Sequence, residues 1–564
     1  MPRQQQLPRR NRRSRGGDAG ATGEDGGTTS AGGNGSSTGG ASSTTGETGD
    51  TGEGGSAGEG EPASSNDAPS LGDPCDTNGA LACNGAAQKL RLICDAGQWK
   101  NNGSCSADEN CEQTSGVCAP IDDNCDGLDP GDTYCDANSV RKCNADFVTS
   151  PVTEECTAAC RVYQGQGQCV WVTQVATGRH TCAVLNTGQL RCWGNNARGQ
   201  LGLGNTEPLG DQQFEMPPPD VPLDEPVTSV AVASGHHTCA ILASGHVRCW
   251  GANSAGELGL GSTETIGDNE LATQNVNLEE SATQVAVGED FSCALLASGA
   301  VRCWGNAYRT GIPNAVSNIG DDESPTENVH LGAKAVQLTA GVQHTCALLE
   351  TGAVRCWGVY TAGQLGIPEA PNLDRTTILT IDVNVGGKAE FIAASGYSTC
   401  AILENLQPWA VKCWGENVYY QLGNGSAQFV GRDAGTMPPS YTNVGATVTQ
   451  VGVSTFNGCA LTSSGVVRCW GLADYAGYAL DGAITNELRD ATIPKAGGLP
   501  PGDVALGGEA TSLAVGIFAS CAIMKGGTLR CWGNNQDGQL GYGPTVPFVG
   551  DDETPADVGD VPVF

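Results

Sequence analysis

The sequence predicts an all-β fold: a closed, seven-bladed β-propeller over residues 170–564, behind a disulfide-stapled region at 71–169 and a flexible start at 1–70. Two observations carry this. A hairpin-like element built as Cys-Ala, a glycine turn and Cys-Trp-Gly recurs seven times at intervals of 53 to 62 residues, with first cysteines Cys182, Cys239, Cys293, Cys346, Cys400, Cys459 and Cys521. The other twelve of the 26 cysteines crowd into 71–169, where apolar residues are sparse.

Between Gly16 and Ser70 there is no Val, Ile, Leu, Met, Phe, Trp, Tyr or Cys. Such a segment has nothing to bury and reads as a flexible, weakly self-repelling tether. The opening MPRQQQLPRRNRRSR has the positive end of an export signal without the apolar run that should follow. The cysteines decide the compartment instead. Their even count and regular spacing predict disulfides in an oxidising place, extracellular or in the cell envelope, with an export signal damaged or lying upstream of a misplaced start. A cytosolic protein with reduced thiols is the alternative. A surplus of 62 acidic over 29 basic side chains, for a net charge of −33, argues against nucleic acid or an anionic membrane as partner. The longest apolar stretch, Ser512–Met524, contains Gly516 and falls short of the roughly 18 to 20 residues that span a bilayer. No transmembrane segment is expected.

The region 71–169 holds Cys75, Cys83, Cys94, Cys105, Cys111, Cys118, Cys125, Cys135, Cys143, Cys156, Cys160 and Cys169. Six bridges are the simplest reading, with connectivity left open. The run Cys75-Asp76-Thr77-Asn78 with Cys83-Asn84 is echoed by Cys135-Asp136-Ala137-Asn138 with Cys143-Asn144, which predicts two related small modules. Zinc is disfavoured, since the region has neither a Cys-x-x-Cys pair nor a His. Calcium is the one cofactor left open. Asp122, Asn124 and Asp126 stand at the first, third and fifth positions of a loop with Gly127 at the turn. The twelfth position is Thr133, so Asp129 or Asp132 would have to replace the usual bidentate Glu, and a stapled turn around Cys125 is the competing reading.

Each repeat in 170–564 opens with an alternating apolar segment such as Val227–Val232, and most close on a Gly-Gln-Leu-Gly-like turn followed by another apolar stretch. About four short strands per repeat follow, and radial repetition hides their edges. A three-residue loop with Gly in the left-handed position, Asn186-Thr187-Gly188, pairs Leu185 with Gln189 and therefore Cys182 with Cys192. Directly opposed residues are close enough for a disulfide. The bridges expected are Cys182–Cys192, Cys239–Cys249, Cys293–Cys303, Cys346–Cys356, Cys400–Cys413, Cys459–Cys469 and Cys521–Cys531, the fifth hairpin having three extra residues.

Trp193, Trp250, Trp304, Trp357, Trp414, Trp470 and Trp532 follow the second cysteines and read as packing between blades. Arg191, Arg248, Arg302, Arg355, Lys412, Arg468 and Arg530 precede them, each opposite an Ala, and are expected to lie across the strands on the Trp rings rather than to form an anion-binding ring. His180, His237 and His344 share one repeat position with Phe291, Ser398, Asn457 and Ala519, which rules out a symmetric metal ring. Asp321-Asp322-Glu323 and Asp551-Asp552-Glu553 follow glycines in equivalent loops and read as solvated turn acids, with calcium the minor alternative. No Ser/His/Asp or Cys/His arrangement and no Gly-Lys-Ser/Thr phosphate loop is anchored by a motif.

The cores Gly178-Arg179-His180-Thr181-Cys182-Ala183, Gly235-His236-His237-Thr238-Cys239-Ala240 and Gly341-Val342-Gln343-His344-Thr345-Cys346-Ala347, with their Cys-Trp-Gly followers and Gly199-Gln200-Leu201-Gly202-Leu203-Gly204, resemble regulator-of-chromosome-condensation (RCC1-type) repeats. The resemblance implies a seven-bladed propeller. It implies little about function, because this scaffold serves nucleotide exchange on a small GTPase, enzyme inhibition and plain protein binding. The sequence as a whole points to an exported or cell-surface, non-enzymatic binding protein, a monomer whose loops capture an extracellular protein or other macromolecule. A guanine-nucleotide exchange factor and an enzyme or enzyme inhibitor on a propeller scaffold are the alternatives.

Overall fold

The computed structural model describes residues 74–564 apart from 79, 84–89, 106–108, 112–117, 121–131, 144–150, 164–165, 233–235, 314, 316, 369, 371–373, 406–409 and 479–501. All of these lie in the unit Asp67–Phe564.

The first repeat folds as an antiparallel sheet of Val172–Thr177, His180–Leu185 and Leu190–Gly194, in that spatial order. Six more sheets repeat the pattern around the middle strands His237–Leu242, Phe291–Leu296, His344–Leu349, Ser398–Leu403, Asn457–Thr462 and Ala519–Met524. Every middle strand is buried along its whole length, which a strand covered on both faces requires. The inner strands of successive sheets touch all the way round, and that of the seventh meets that of the first. Across this seam Thr181 Oγ1 and Trp193 Nε1 both donate to the carbonyl of Gln539. The result is a closed propeller.

The hairpin turn sets the register. Gly188 sits at φ +82°, open to glycine at no steric cost, and Leu185 N donates to Gln189 O at 2.9 Å. Hydrogen-bonded and non-hydrogen-bonded pairs alternate from there, so Cys182 and Cys192 face each other in a non-hydrogen-bonded pair, where Cα atoms approach most closely. Their Cα separation is 4.1 Å, and their sulfurs are at bonding distance. The other six pairs, Cys239–Cys249, Cys293–Cys303, Cys346–Cys356, Cys400–Cys413, Cys459–Cys469 and Cys521–Cys531, stand in the same relation. In the fifth hairpin, Leu403 N donates to Ala410 O, which absorbs the extra residues beyond the ladder.

The fourth strand is weaker than the sequence suggests. Among the described residues only the fifth and seventh sheets gain one, as Tyr441–Thr442 and Phe548–Val549. Elsewhere among the described residues the connection touches the outer strand through isolated bridges such as Arg191 to Asp220 and Gly194 to Leu209. In the first repeat that stretch carries Pro208, Pro217, Pro218, Pro219 and Pro222, which cannot donate to a ladder.

Side chains join one sheet to the next. All seven Trp rings are buried, and Trp250, Trp304, Trp414 and Trp470 donate Nε1 to carbonyls of Gln200, Glu257, Gln364 and Gln421 in the preceding repeat. Gly202 lies against Trp250, where a Cβ would come within 2.8 Å of Nε1. This explains the second glycine of Gly-Gln-Leu-Gly.

The basic residue before each second cysteine does not lie on the Trp ring. Arg191, Arg355, Arg468 and Arg530 instead bond through Nε to Asp220, Asp382, Asp503 and Asp560, while Arg248 and Arg302 use Asn275 and Asn328. Their Nη1 atoms reach neighbouring carbonyls, as in Arg302 to Leu278 at 2.6 Å. Lys412 is the exception in choosing a ring, that of Tyr441 at 4.5 Å. A guanidinium satisfied on two sides clamps a loop to its sheet, a stronger use of its five donors than stacking.

The Cys-rich region forms two small three-stranded sheets, Leu81–Cys83 with Leu90–Asp95 and Gln98–Ser104, and Thr133–Asp136 with Ser139–Lys142 and Val152–Glu155. Among the described bridges, those of the echoed first cysteines, Cys75 and Cys135, differ in span. Cys75 joins Cys94, whereas Cys135 joins Cys160 and Cys156 joins Cys169. The region meets the propeller at the hairpin-turn end, where Thr157 Oγ1 donates to Gly526 O at 2.8 Å and Asn186 Nδ2 donates to Cys169 O at 3.1 Å. No helix among the described residues is long and apolar enough to cross a membrane.

Candidate functional site

The ladder dictates which side chains gather at the other end of the ring. His180 pairs with Gly194, so the residue before the middle strand and the loop after the outer strand emerge together, and Asn195 N donates to Arg179 O. Seven side chains stand at that turn, one per sheet: Arg179, His236, Asp290, Gln343, Tyr397, Phe456 and Phe518. All are half-buried. The Cys-Ala three and four residues on is the same in all seven repeats, while this position runs Arg, His, Asp, Gln, Tyr, Phe and Phe. A position that packing does not constrain, repeated around a rigid ring, makes a surface of chosen chemistry. Sequence reasoning missed this ring, although the signal was present in the variation at the residue just before the His180 position.

The ring has two halves. Around the second to fourth sheets the charges are satisfied internally. Arg309 Nη1 reaches Glu289 at 3.1 Å and also bonds Asp290, Asn306 Nδ2 donates to Asp290 at 2.9 Å, and Gln343 Nε2 donates to Glu289 at 3.1 Å. Burial raises the Asp290 carboxyl above the usual carboxylate range, with Arg309 pulling the other way. Burial lowers His236, helped by Arg179 and Arg198.

Around the fifth to seventh sheets the face is aromatic. The Phe456 ring stacks on Tyr475 at 4.6 Å and lies 5.4 Å from Tyr419 and 6.1 Å from Phe518. Phe548 meets Tyr475 edge-on at 5.1 Å. Burial and the nearby Asp474 raise the Tyr475 phenol. Arg179 closes the crescent, its guanidinium 4.7 Å from the Phe518 ring centre and 3.8 Å from Asp537.

The central channel offers different chemistry. The cavities along it are walled by Val230, Val287, Leu338, Ala340, Thr177 and Val515 with their neighbours, and among the described residues no acid, base or His lines them. His180, His237 and His344 are wholly buried and bond Thr238, Ser292 and Thr399 of the following repeats.

The loop acids are less solvated than the sequence suggests. Asp321-Asp322-Glu323 and Asp551-Asp552-Glu553 each bring three carboxylates within 4.8 Å. Glu323 Oε1 accepts from Gly320 N at 3.3 Å, and Asp321 N lies against Gly256 of the preceding repeat, so this loop is part of the contact between sheets. Of the calcium candidates, Asp122, Asn124 and Asp126 lie outside the described residues. Asp132 precedes the strand Thr133–Asp136, and its Oδ1 accepts from Gln166 Nε2 at 2.9 Å.

The comparisons agree with this architecture. A family model described as regulator of chromosome condensation (RCC1) repeat matches residues 172–200, 227–257, 282–309, 335–364 and 510–539, and a second RCC1 repeat model matches 187–241 and 244–295. The RCC1 domain-containing protein RUG3, mitochondrial, of Arabidopsis thaliana is 30% identical over 402 residues, covering 66% of this chain and 82% of that protein. The E3 ubiquitin-protein ligase HERC2 of Mus musculus is 26% identical over 419 residues, covering 72% of this chain, which spans 8% of that much longer protein. The crystal structure of Prp20p from Saccharomyces cerevisiae, described with its binding to Gsp1p and histones, superimposes with a TM-score of 0.51 at 20% identity, over 68% of this chain and 87% of that one.

Proposed function

The chain belongs to the regulator of chromosome condensation (RCC1) repeat family, and on that premise we propose that it is an exported, non-enzymatic binding protein whose propeller captures another protein at the end bearing Arg179, Phe456 and Phe518. One arrangement supports the reading above all: one half-buried side chain per sheet at the same turn, running Arg, His, Asp, Gln, Tyr, Phe and Phe around the repeated Cys-Ala and Cys-Trp-Gly framework. Among the described residues the Cys-rich region touches the propeller at the opposite, hairpin-turn end. Disulfides across the hairpins would keep the framework rigid outside the cell, which suits a surface that binds without changing shape. Calcium binding near Asp122, Asn124, Asp126 and Asp132 belongs to the same proposal, as a brace for the Cys-rich region.

The test is site-directed photo-crosslinking with the full chain in its producing cells. A benzophenone amino acid replacing Phe456 or Gln343 is expected to trap one defined protein, and the same group replacing Thr187 or Ser463 at the hairpin turns to trap none. Crosslinks from the hairpin turns alone would overturn the assignment of the face. Acceleration of nucleotide release from a small GTPase would overturn the functional class, and free thiols in native material would overturn the exported location.

A further inference from the structure

Within that face, we infer that the aromatic crescent and the carboxylate of Glu416 form a socket for a cationic side chain, a Lys or Arg presented by the partner polypeptide. The inference rests on the reading of this end as the binding surface.

Glu416 is the first residue after the outer strand Val411–Gly415. In the first and seventh repeats the matching residues are Asn195 and Asn534, and each accepts a hydrogen bond from a glutamine five residues on, Gln200 at 2.7 Å and Gln539 at 3.1 Å. The fifth repeat keeps the glutamine as Gln421 but has Glu in place of Asn, and this bond is not made. Glu416 Oε2 and Gln421 Nε2 are both buried with no partner. Glu416 is half-buried as a whole, but a carboxylate oxygen left out of water without a partner is costly, and burial raises the pKa of Glu416.

The surroundings define what would satisfy it. Glu416 N donates to Tyr397 O at 3.0 Å, and the Glu416 carboxylate is close enough to help raise the Tyr397 phenol. Tyr419, three residues along, is 39% exposed and leads into the stack of Phe456 and Tyr475. At this end Glu289 and Asp290 share Arg309, and Asp537 has Arg179. Among the described residues Glu416 has none.

A cation next to both a carboxylate and the faces of aromatic rings gains from each, most of all where water is partly excluded. The chain itself supplies a precedent on this face, since Arg179 already lies over Phe518. The net charge of −33 would draw a cationic partner rather than an anionic one.

The test uses two fluorescent pentapeptides, Leu-Ala-Lys-Ala-Leu and its norleucine counterpart, with the full chain and anisotropy as readout. The lysine probe is expected to bind about tenfold more tightly than the norleucine probe, a gain within reach of one cation against a ring and a carboxylate. Glu416→Gln is expected to abolish that preference while leaving the norleucine probe unchanged, with the thermal transition kept as evidence of folding. Equal affinity for the two probes, a preference that survives Glu416→Gln, or selection of a neutral oligosaccharide such as cellohexaose over the lysine probe would each overturn the socket. If the preference is missing while crosslinks from Phe456 still trap a partner, the socket is wrong and the face stands. If those crosslinks are missing too, the face itself is wrong.

Discussion

His180 Nε2 and Thr238 Oγ1 stand 2.6 Å apart across the boundary between the first and second sheets. Thr238 gives its one hydroxyl hydrogen to Gln200 O at 2.8 Å, so it accepts from the ring, and His180 must carry its proton on Nε2. Nδ1 is then left buried without a partner. His237 repeats the arrangement with Ser292, which donates to Glu257 O, and His344 repeats it with Thr399, which donates to Gln364 O. Protonating any of the three puts a charge in a dry site, and each pKa falls to about 3, chiefly through burial.

Acid lability follows from this. These histidines take up protons near pH 6.5 when unfolded but only near pH 3 when folded, so the stability they carry is present above pH 6.5 and is lost as pH falls through that window. Each contributes a slope of up to about 1.4 kcal/mol per pH unit. The third sheet already holds Phe291 at this position, fully buried, so a ring without a titrating nitrogen fits there. The triple variant His180→Phe, His237→Phe, His344→Phe is therefore expected to show a shallower loss of urea midpoint between pH 7 and pH 4 than the parent. Parallel pH profiles would show that the histidines do not set the acid response.

Glu553 acts in the opposite sense. Burial, with Asp552 and Asp551 adding repulsion, raises its pKa to about 7. A folded carboxyl that holds its proton longer than the unfolded one favours the folded state below the unfolded pKa, and that advantage is lost as pH rises from about 4.5 to about 7. Glu553→Gln is expected to raise the melting temperature at pH 8 and to leave it near the parent's at pH 4.5. Differential scanning calorimetry at the two pH values checks this, and a gain of equal size at both would point to a cause other than titration.

The propeller was legible because its signals are local and repeated. Gly188 and its five counterparts determine a turn, the turn determines a register, and the register brings Cys182 opposite Cys192. What could not be read depends on distant partners. Arg191 has Ala183 opposite and Trp193 on its own face, so a stem lying over the ring was the natural expectation. Its actual partners, Asp220 and the carbonyl of Val563, are 29 and 372 residues away. The same holds for Asn196, Asn253, Asn417 and Asn535, buried residues whose amides tie their own connecting loops, as Asn196 Nδ2 does to Glu207 O at 2.8 Å. The aromatic crescent was hidden for another reason. Tyr419, Phe456, Tyr475 and Phe518 come from three repeats, and only the closed ring brings them together.

Each hairpin disulfide closes a short loop, so removing one is expected to weaken a blade without abolishing the fold. Cys239→Ala with Cys249→Ala should cost about 2 to 3 kcal/mol in a denaturant titration, the loop-entropy value for a ten-residue ring. Nonreducing peptide mapping of the parent should recover Cys239 linked to Cys249, because the ladder presents no other cysteine at that pair. Scrambled linkages in native material would contradict the register.

Framework and face should separate cleanly under mutation. Trp250 is fully buried, donates to Gln200 O at 2.9 Å and packs on Gly202, so Trp250→Ala opens a cavity between two sheets and breaks a bond that crosses their boundary. The expected cost is about 3 to 5 kcal/mol, enough to open the ring at the neighbouring seam and be seen as early hydrogen exchange in the strands Val227–Val232 and Val247–Gly251. Tyr419 meets the Phe456 ring of the next repeat but is 39% exposed, so Tyr419→Ala should change stability by less than about 1 kcal/mol. Its effect should appear in binding, as weaker capture of both the lysine and the norleucine probes, since the aromatic wall serves their shared apolar flanks. If Tyr419→Ala melts the propeller as Trp250→Ala does, the crescent belongs to the framework and the case for a binding surface there is lost.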